Sequence, residues 1–190
     1  MSHKWFFMGL SGAAVAIVTG ILGFQAWLRA DGNLHEVKTG EFYRSAQPTP
    51  EKLQGYIKQY GLKSVLNLRG SQPDDDWYRD EQRVTQSNGV QLIDFSMSAG
   101  KDLTRERALQ LVEIMRNAPK PMLVHCSTGA DRTGLVATIY AYKIAGMTEE
   151  EAEEQLSPGF GHFGIPLFSS TFAMDRSWED MEKLFGIEGS

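Results

Sequence analysis

The sequence contains a single cysteine, Cys126, and the residue types that follow it have a spacing that suits a reactive site. An arginine, Arg132, follows six positions later, and a hydroxyl residue, Thr133, comes next. The apolar run at 122–124 predicts a buried strand before this block, and the stretch at 135–142 predicts a helix after it. A strand, a tight loop and a helix N-terminus together form an anion-binding cradle. A thiol on the floor of such a cradle predicts phosphoryl transfer through cysteine.

Each residue type in this block has a chemical reason to be there. The loop amides are predicted to bind the phosphate oxygens, and the residues that carry them are Ser127, Thr128, Gly129, Ala130, Asp131 and Arg132. Arg132 also offers a planar fork that binds two oxygens at once, which lysine does not. Its charge and the helix dipole are predicted to make Cys126 a thiolate at neutral pH. Gly129 is predicted to take a backbone conformation closed to most residues, and Thr133 to donate a hydrogen bond to the sulfur.

The block at 125–134 resembles the signature loop of the cysteine-dependent protein tyrosine phosphatases, in their compact dual-specificity branch with its bacterial relatives. Flanking segments resemble the same group, so the resemblance runs from about residue 35 to the end; these segments are 42–48, 65–69, 161–163 and 173–176. It implies hydrolysis of phosphate monoesters through a phosphocysteine, with no metal ion or organic cofactor. His125 is then expected to support the loop from behind. Low-molecular-weight phosphatases share the loop but carry it near the N-terminus, whereas Cys126 lies in the second half.

The resemblance also implies an aspartate that protonates the leaving oxygen, and the sequence leaves three candidates. Asp102 is preferred because it is the acid inside 96–103, the predicted loop between a strand and the next helix. Asp94 has a separation from the cysteine seen in several eukaryotic relatives, but it falls within a strand pattern. Asp131, inside the signature loop, is an alternative acid, or a residue that holds Arg132 or caps the following helix.

Strand and helix patterns alternate along the chain, which predicts an α/β fold with a central, mostly parallel sheet flanked by helices. The predicted strands are 42–44, as an edge strand, then 64–68, 91–95 and 122–125. Predicted helices follow Thr49, Thr104 and Thr148 as N-caps, and others cover 77–87, about 132–145 and 175–185. In such sheets ligands bind beyond the carboxyl ends of the strands, where Cys126 falls.

The N-terminal segment carries 24 uncharged residues at 5–28, about 36 Å of helix, which is enough to span a bilayer core of about 30 Å. We therefore predict a membrane anchor at 1–30 with a transmembrane helix at 5–28, a linker at 31–34 and a phosphatase domain at 35–190. A cleaved signal peptide is the competing interpretation, although its apolar region is normally shorter. Lys4 before the span weakly indicates a cytoplasmic N-terminus and a periplasmic or otherwise extracytoplasmic domain. Small residues at Gly12, Ala16 and Gly20 could form a weak dimer face.

Composition and loop chemistry narrow the substrate class. The net charge of −5 gives no basic footprint, so nucleic acid is not an expected partner, and the histidines are too scattered to indicate a metal site. No loop residue besides Arg132 is basic, which disfavours highly phosphorylated inositides. A phosphoprotein carrying phosphotyrosine, or phosphoserine and phosphothreonine, is the expected substrate. A membrane-proximal lipid or glycan phosphate and a non-catalytic phosphate-binding module are the alternatives. Arg44, Arg69 and Arg79 are expected to attract an anionic partner from outside the loop.

Overall fold

The computed structural model describes residues 3–186, with side chains for 15–16 and 18–186. Its centre is a five-stranded sheet: β1 (His35–Lys38), β2 (Phe42–Ser45), β3 (Ser64–Asn67), β4 (Gln91–Asp94) and β5 (Met122–His125). The strand order is β1-β2-β5-β3-β4, and β1 alone runs antiparallel to its neighbour. The predicted α/β fold with a mostly parallel central sheet is confirmed.

The four parallel strands end at the same edge of the sheet. Ser45 of β2 and Asn67 of β3 are both in register with His125 of β5, and Asn67 is in register with Asp94 of β4. The chain segments that follow these residues therefore meet at the carboxyl edge. The residue directly after the central strand, β5, is Cys126.

The prediction of an edge strand at 42–44 was wrong. β2 lies between β1 and β5, and all four of its residues are buried. The outer position belongs to β1, in which only Val37 is buried, and a four-residue strand with that pattern gives almost no periodic signal in the sequence. The consequence for function is that Arg44, in β2, is an interior residue.

Helices cover both faces of the sheet, and seven α-helices are present in the described part of the chain. They are α1 (His3–Asp31), α2 (Pro50–Tyr60), α3 (Asp76–Ser87), α4 (Arg105–Asn117), α5 (Asp131–Lys143), α6 (Glu149–Glu153) and α7 (Phe172–Phe185). One apolar cluster joins α2 and α3 to one face, around Leu53, Val65 and Leu123. The larger cluster joins α4, α5 and α7 to the other face. The predicted N-caps Thr49, Thr104 and Thr148 are confirmed, the last as a capping box with Glu151.

The N-terminal helix α1 contacts the α/β domain with its last turns. Leu28 is buried, Gln25 Nε2 donates to the carbonyl of Gly161 at 3.3 Å, and Phe24 packs edge-on against Phe163. Across the residues that the structure describes, no helix combines the length and the apolar character that crossing a membrane needs. The transmembrane helix predicted at 5–28 is therefore not supported.

The N-terminal predictions that remain are untested. Residues 1–2 lie outside the described part, and so do 187–190 of the predicted domain. Of the proposed dimer stripe, Gly12 falls where side chains are not described.

Candidate active site

Cys126 and the loop that follows it lie at the carboxyl edge of the sheet, between β5 and α5. The cysteine is 1 % exposed, Ser127 and Thr128 are half-buried, and α5 begins at Asp131. This is the strand–loop–helix arrangement that the sequence predicts. It places the N-terminal end of α5, with its positive dipole end, at the thiol.

Three consecutive carbonyls of this loop point away from its interior, and each accepts a hydrogen bond from outside. The backbone N–H of Gln47 donates to Ser127 O at 3.3 Å. The side chain of Asn33 donates to Thr128 O at 3.1 Å, and Arg44 donates to Gly129 O at 2.8 Å. With the carbonyls held outside, the loop can turn its amides to the interior as an anion-binding nest requires, although that of Ala130 donates to Thr128 Oγ1 at 3.4 Å.

Gly129 has two reasons to be glycine. Its φ of +73° lies in the left-handed region, and a Cβ there would lie 2.6 Å from Ala46 N and 2.7 Å from Ser45 C. Both neighbours are backbone atoms of the segment at the end of β2, so they have little room to move. The close approach lets the loop curl against the neighbouring strand.

The thiol of Cys126 is acidic for a cysteine. Burial by itself raises its pKa, but the charge of Arg132, the hydroxyl of Thr133 and the amides of Thr133 and Gly129 bring the pKa below its ordinary value. The Thr133 hydroxyl is buried, and no nitrogen or oxygen of the described residues pairs with it. That leaves the hydroxyl for the sulfur. A thiolate held in this way is a nucleophile at neutral pH.

Arg132 is oriented by the two strands beyond β5. Its Nη1 donates to the carbonyls of Leu68, after β3, and Met97, after β4, each at 3.2 Å. The remaining donors of the guanidinium are left for an anion above Cys126. This arrangement allows bidentate contact with two phosphate oxygens.

His125 lies behind the loop with a carboxylate partner that the sequence analysis missed. Its Nε2 is 2.7 Å from Glu81 Oε1, and both side chains are almost fully buried. Burial lowers the pKa of His125, but Glu81 outweighs it and the net shift is upward. Glu81 also accepts a hydrogen bond from Gln47 Nε2 at 3.3 Å. The pair therefore braces the strand end that carries Cys126, which agrees with the support role expected of His125.

The three candidate acids each have a partner on another element. Asp102 is exposed and pairs with Arg176 of α7 at 2.7 Å. Asp94 accepts from Asn67 Nδ2 at 2.8 Å and from the hydroxyl of Tyr78. The loop of Asp102 does lie beside the site, because Met97 in the same loop binds Arg132. The choice of acid stays a prediction.

Asp131 and His162 form a buried polar chain with Asp175. His162 Nδ1 is 2.8 Å from Asp131 Oδ1, and its Nε2 is 3.0 Å from Asp175 Oδ2. Burial lowers the pKa of His162, but hydrogen bonds to the two carboxylates raise it to about 9. Contacts with both ring nitrogens fit a charged imidazolium that donates twice. His162 thus connects the signature loop to α7.

The three arginines expected outside the loop have three different roles. Arg44 is fully buried: besides Gly129 O it binds the carbonyl and the side chain of Gln155, and it stacks on Phe160. Burial lowers its pKa to about 9. It is a structural support of the loop, so its expected role as an outer attractor of anions was wrong. Arg79 is exposed and paired with Asp76. Arg69 is half-buried and close enough to Arg132 to feel its charge, and its role in attracting anions stays a prediction.

Sequence signals for the missed residues exist but are weak. Arg44 is a charge inside a run that is otherwise compatible with a buried strand. Glu81 lies three or four residues from Tyr78, Val84 and Thr85, on the buried face of α3. A carboxylate in such a stripe requires an interior partner. Asn33 gives no comparable signal, since its neighbours are typical of a linker.

Comparisons with known proteins agree with this geometry. Residues 17–163 match the family model described as "DSP-PTPase phosphatase fused to NAD+ Kinase". The chain is 29% identical over 100 residues to the inositol diphosphatase SIW14 of Saccharomyces cerevisiae, a match that covers 50% of this chain and 34% of that protein. It is 33% identical over 99 residues to the putative tyrosine-protein phosphatase OCA1 of Mycosarcoma maydis, covering 50% of this chain and 60% of that one. The chain thus spans about one third of the length of SIW14 and about three fifths of the length of OCA1.

A solved structure shares the fold. The crystal structure of P. aeruginosa TpbA superposes with a TM-score of 0.58 at 22% identity, covering 82% of this chain and 91% of TpbA. The family match extends over most of the chain and includes the whole signature loop. The chain therefore belongs to the cysteine-based protein tyrosine phosphatase superfamily, in the family of DSP-PTPase phosphatases.

Proposed function

We propose that this protein hydrolyses phosphate monoesters through a phosphocysteine on Cys126, with protein phosphotyrosine as the first substrate class. The Sγ thiolate attacks phosphorus, the bond from phosphorus to the leaving oxygen breaks, and an acid protonates that oxygen. Water then attacks the phosphocysteine, the P–S bond breaks, and inorganic phosphate leaves. Arg132 and the loop amides stabilise the charge on the phosphoryl oxygens in both steps.

The observation that carries this proposal is the environment of the Cys126 sulfur. A buried thiol with a lowered pKa lies in a loop whose carbonyls are held outward, beside an arginine oriented by two carbonyls. A cysteine present only for packing needs none of these features. The loop has no basic residue except Arg132, which favours a substrate with a single phosphate at this position. TpbA, which shares the fold, has been solved in complex with pTyr.

The test uses the full chain and two matched variants. The wild-type protein is expected to hydrolyse phenyl phosphate and a phosphotyrosyl peptide, and vanadate is expected to block both activities. Cys126→Ser is expected to lose turnover while still binding phosphate, since the loop amides and Arg132 remain. Arg132→Lys keeps the charge but not the fork, and is expected to lose at least about 100-fold in kcat/KM. Turnover by Cys126→Ser at the wild-type rate would refute the proposal.

A second candidate is the hydrolysis of a diphosphate, in which the leaving group is itself a phosphate. Two observations favour it: the relative SIW14 is named an inositol diphosphatase, and each of the three candidate acids is bound by another residue. A departing phosphate is a weaker base than an alkoxide and needs less help from an acid.

Phenyl diphosphate and phenyl phosphate discriminate between the two candidates. If the enzyme is a diphosphatase, kcat/KM for phenyl diphosphate exceeds that for phenyl phosphate, and Asp102→Asn, Asp94→Asn and Asp131→Asn change it little. A monoesterase instead shows a marked loss of phenyl phosphate turnover in one of these variants. An effect confined to Asp102→Asn identifies the predicted acid.

A further inference from the structure

Arg69 lies at the mouth of the site, beside the arginine that binds phosphate. It follows β3 directly after Leu68, whose carbonyl binds Arg132 and whose amide donates to His125 O at 2.9 Å. Burial and the nearby charge of Arg132 lower the pKa of Arg69, while the charges of Asp75, Glu81 and Cys126 raise it. Gln47 accepts a hydrogen bond from Arg69 Nη1 at 3.2 Å and donates its backbone N–H to Ser127 O of the signature loop at 3.3 Å, so the Arg69 guanidinium lies next to that loop.

The guanidinium of Arg69 is held in one orientation by two neighbours. Its central carbon lies 3.5 Å from the ring centre of Trp77, and its Nη1 donates to Gln47 Oε1 at 3.2 Å. Trp77 is itself fixed, because its Nε1 donates to Asp75 Oδ2 at 2.7 Å. Gln47 is fixed as well, since its amide nitrogen donates to Glu81. A long side chain held in this way loses little further freedom when it binds a ligand.

No carboxylate of the described residues forms an ion pair with Arg69. Other arginines nearby have such partners: Arg79 pairs with Asp76, and Arg83 with Asp80. Asp75 and Glu81 act on the charge of Arg69 without an ion-pair contact, and a half-buried guanidinium next to a second cation still gains from a directly bound anion. A phosphate bound above Cys126 would occupy the remaining donors of Arg132. Within the described part of the chain, Arg69 donates to Gln47 through Nη1, and its Nε and Nη2 hydrogens are left for a different group of the substrate.

We propose that Arg69 binds a second anionic group of the substrate, next to the phosphate that is transferred, and so sets substrate specificity. The assignment rests on the phosphatase function proposed above. The second group is a phosphate or a carboxylate, because both present the pair of oxygens that a guanidinium fork binds. One source is a second phosphoryl group on a small ester, and another is an acidic residue beside phosphotyrosine.

Two matched substrate pairs test the proposal and separate the sources. The first pair is 1,3-phenylene bisphosphate against phenyl phosphate. The second is a phosphotyrosyl peptide with glutamate beside the phosphotyrosine against the same peptide with glutamine. The measured quantity is kcat/KM for the full chain, for Arg69→Gln and for Arg79→Gln. Arg79→Gln is the control, since it removes an exposed arginine that already has a carboxylate partner.

The wild-type protein and Arg79→Gln are expected to prefer the doubly anionic member of at least one pair. Arg69→Gln is expected to lose about 10- to 100-fold on that member, the loss typical of a charged hydrogen bond, and less than about threefold on its partner. The pair that shows the preference identifies the source. Equal losses on both members would refute the specificity role and indicate that Arg69 only supports the loop through Gln47. No preference in the wild-type protein would refute it as well. If wild-type protein hydrolyses none of the four substrates, the proposed function fails instead.

Discussion

Replacing His162 with glutamine removes a buried charge that joins the signature loop to α7. In the structure both ring nitrogens face carboxylates, Asp131 at 2.8 Å and Asp175 at 3.0 Å, and the ring is 2 % exposed. Glutamine has similar reach, but it carries no charge and cannot donate in both directions from one end. The variant therefore tests whether the charge of this histidine stabilises the fold.

The size of the effect follows from the pKa of His162, which burial lowers and the two carboxylates raise to about 9. A rise of that size from the ordinary value of 6.5 corresponds to at most about 3–4 kcal/mol of stability. Asp131 and Asp175 are 16 % and 27 % exposed, so solvent screens part of the interaction. We expect His162→Gln to lower the free energy of unfolding by about 2 kcal/mol at pH 6.

The pH dependence has a definite sign. Because the folded pKa is above the unfolded one, the stabilisation is complete below about pH 6.5 and disappears as the pH rises through about 9. Urea unfolding at pH 6 and pH 10 measures this dependence. The difference in free energy of unfolding between wild type and His162→Gln is expected to be smaller at pH 10 than at pH 6. His35→Gln is the control. Burial and Arg44 lower the pKa of His35, so its charge does not stabilise the fold, and the loss of stability in this variant is not expected to shrink at pH 10. A difference that is equal at both pH values would refute the charge argument and leave packing as the cause.

Three further predictions concern the loop itself. Gly129→Ala places a Cβ against backbone atoms of 45–46 at a residue with positive φ. The kcat/KM for an aryl phosphate is therefore expected to fall at least about 100-fold. Near-wild-type activity would contradict the close approach of the loop to β2. Thr133→Val removes a hydroxyl that lowers the pKa of Cys126. The midpoint of the pH profile for alkylation of Cys126 by iodoacetamide is therefore expected to rise. An unchanged midpoint would exclude the hydrogen bond from Thr133 to the sulfur. Arg44→Met leaves the carbonyls of Gly129 and Gln155 unsatisfied, and is expected to destabilise the fold by about 2–4 kcal/mol in urea unfolding. A stability equal to wild type would show that the loop does not depend on Arg44.

Local sequence patterns were sufficient to predict most of the helices and the residue types of the signature loop. The caps at Thr49 and Thr104 and the buried face of α4 depend on residues within one or two turns, so their spacing predicts them. The nucleophile and the phosphate-binding arginine lie six residues apart on one loop, which is also a local relationship.

The errors and omissions concern contacts between distant parts of the chain. The place of β2 in the sheet depends on β1, in which Val37 alone is buried, so β1 lacks the apolar run that marks a strand such as β5 in the sequence. Arg44 and Gly129 are 85 positions apart, and Glu81 and His125 lie on different elements of the fold; nothing local relates the members of either pair. The N-terminal segment carried the hydropathy of a membrane span, yet the structure does not support that assignment.

The sequence by itself determined the reactive chemistry: a thiol, an arginine and a hydroxyl at fixed spacing between a strand and a helix. A short loop brings these groups to one place whatever the rest of the chain does, which is what the proposed action on one phosphate requires. The tertiary structure alone decided what holds that loop in shape and what surrounds it. Asn33, Arg44 and Gln47 keep its carbonyls outside, and Arg69 lies beside Arg132, because parallel strands from four parts of the chain end at one edge. The register between strands is set only when the sheet packs. The residues that surround the signature loop are therefore set by the packed sheet as well.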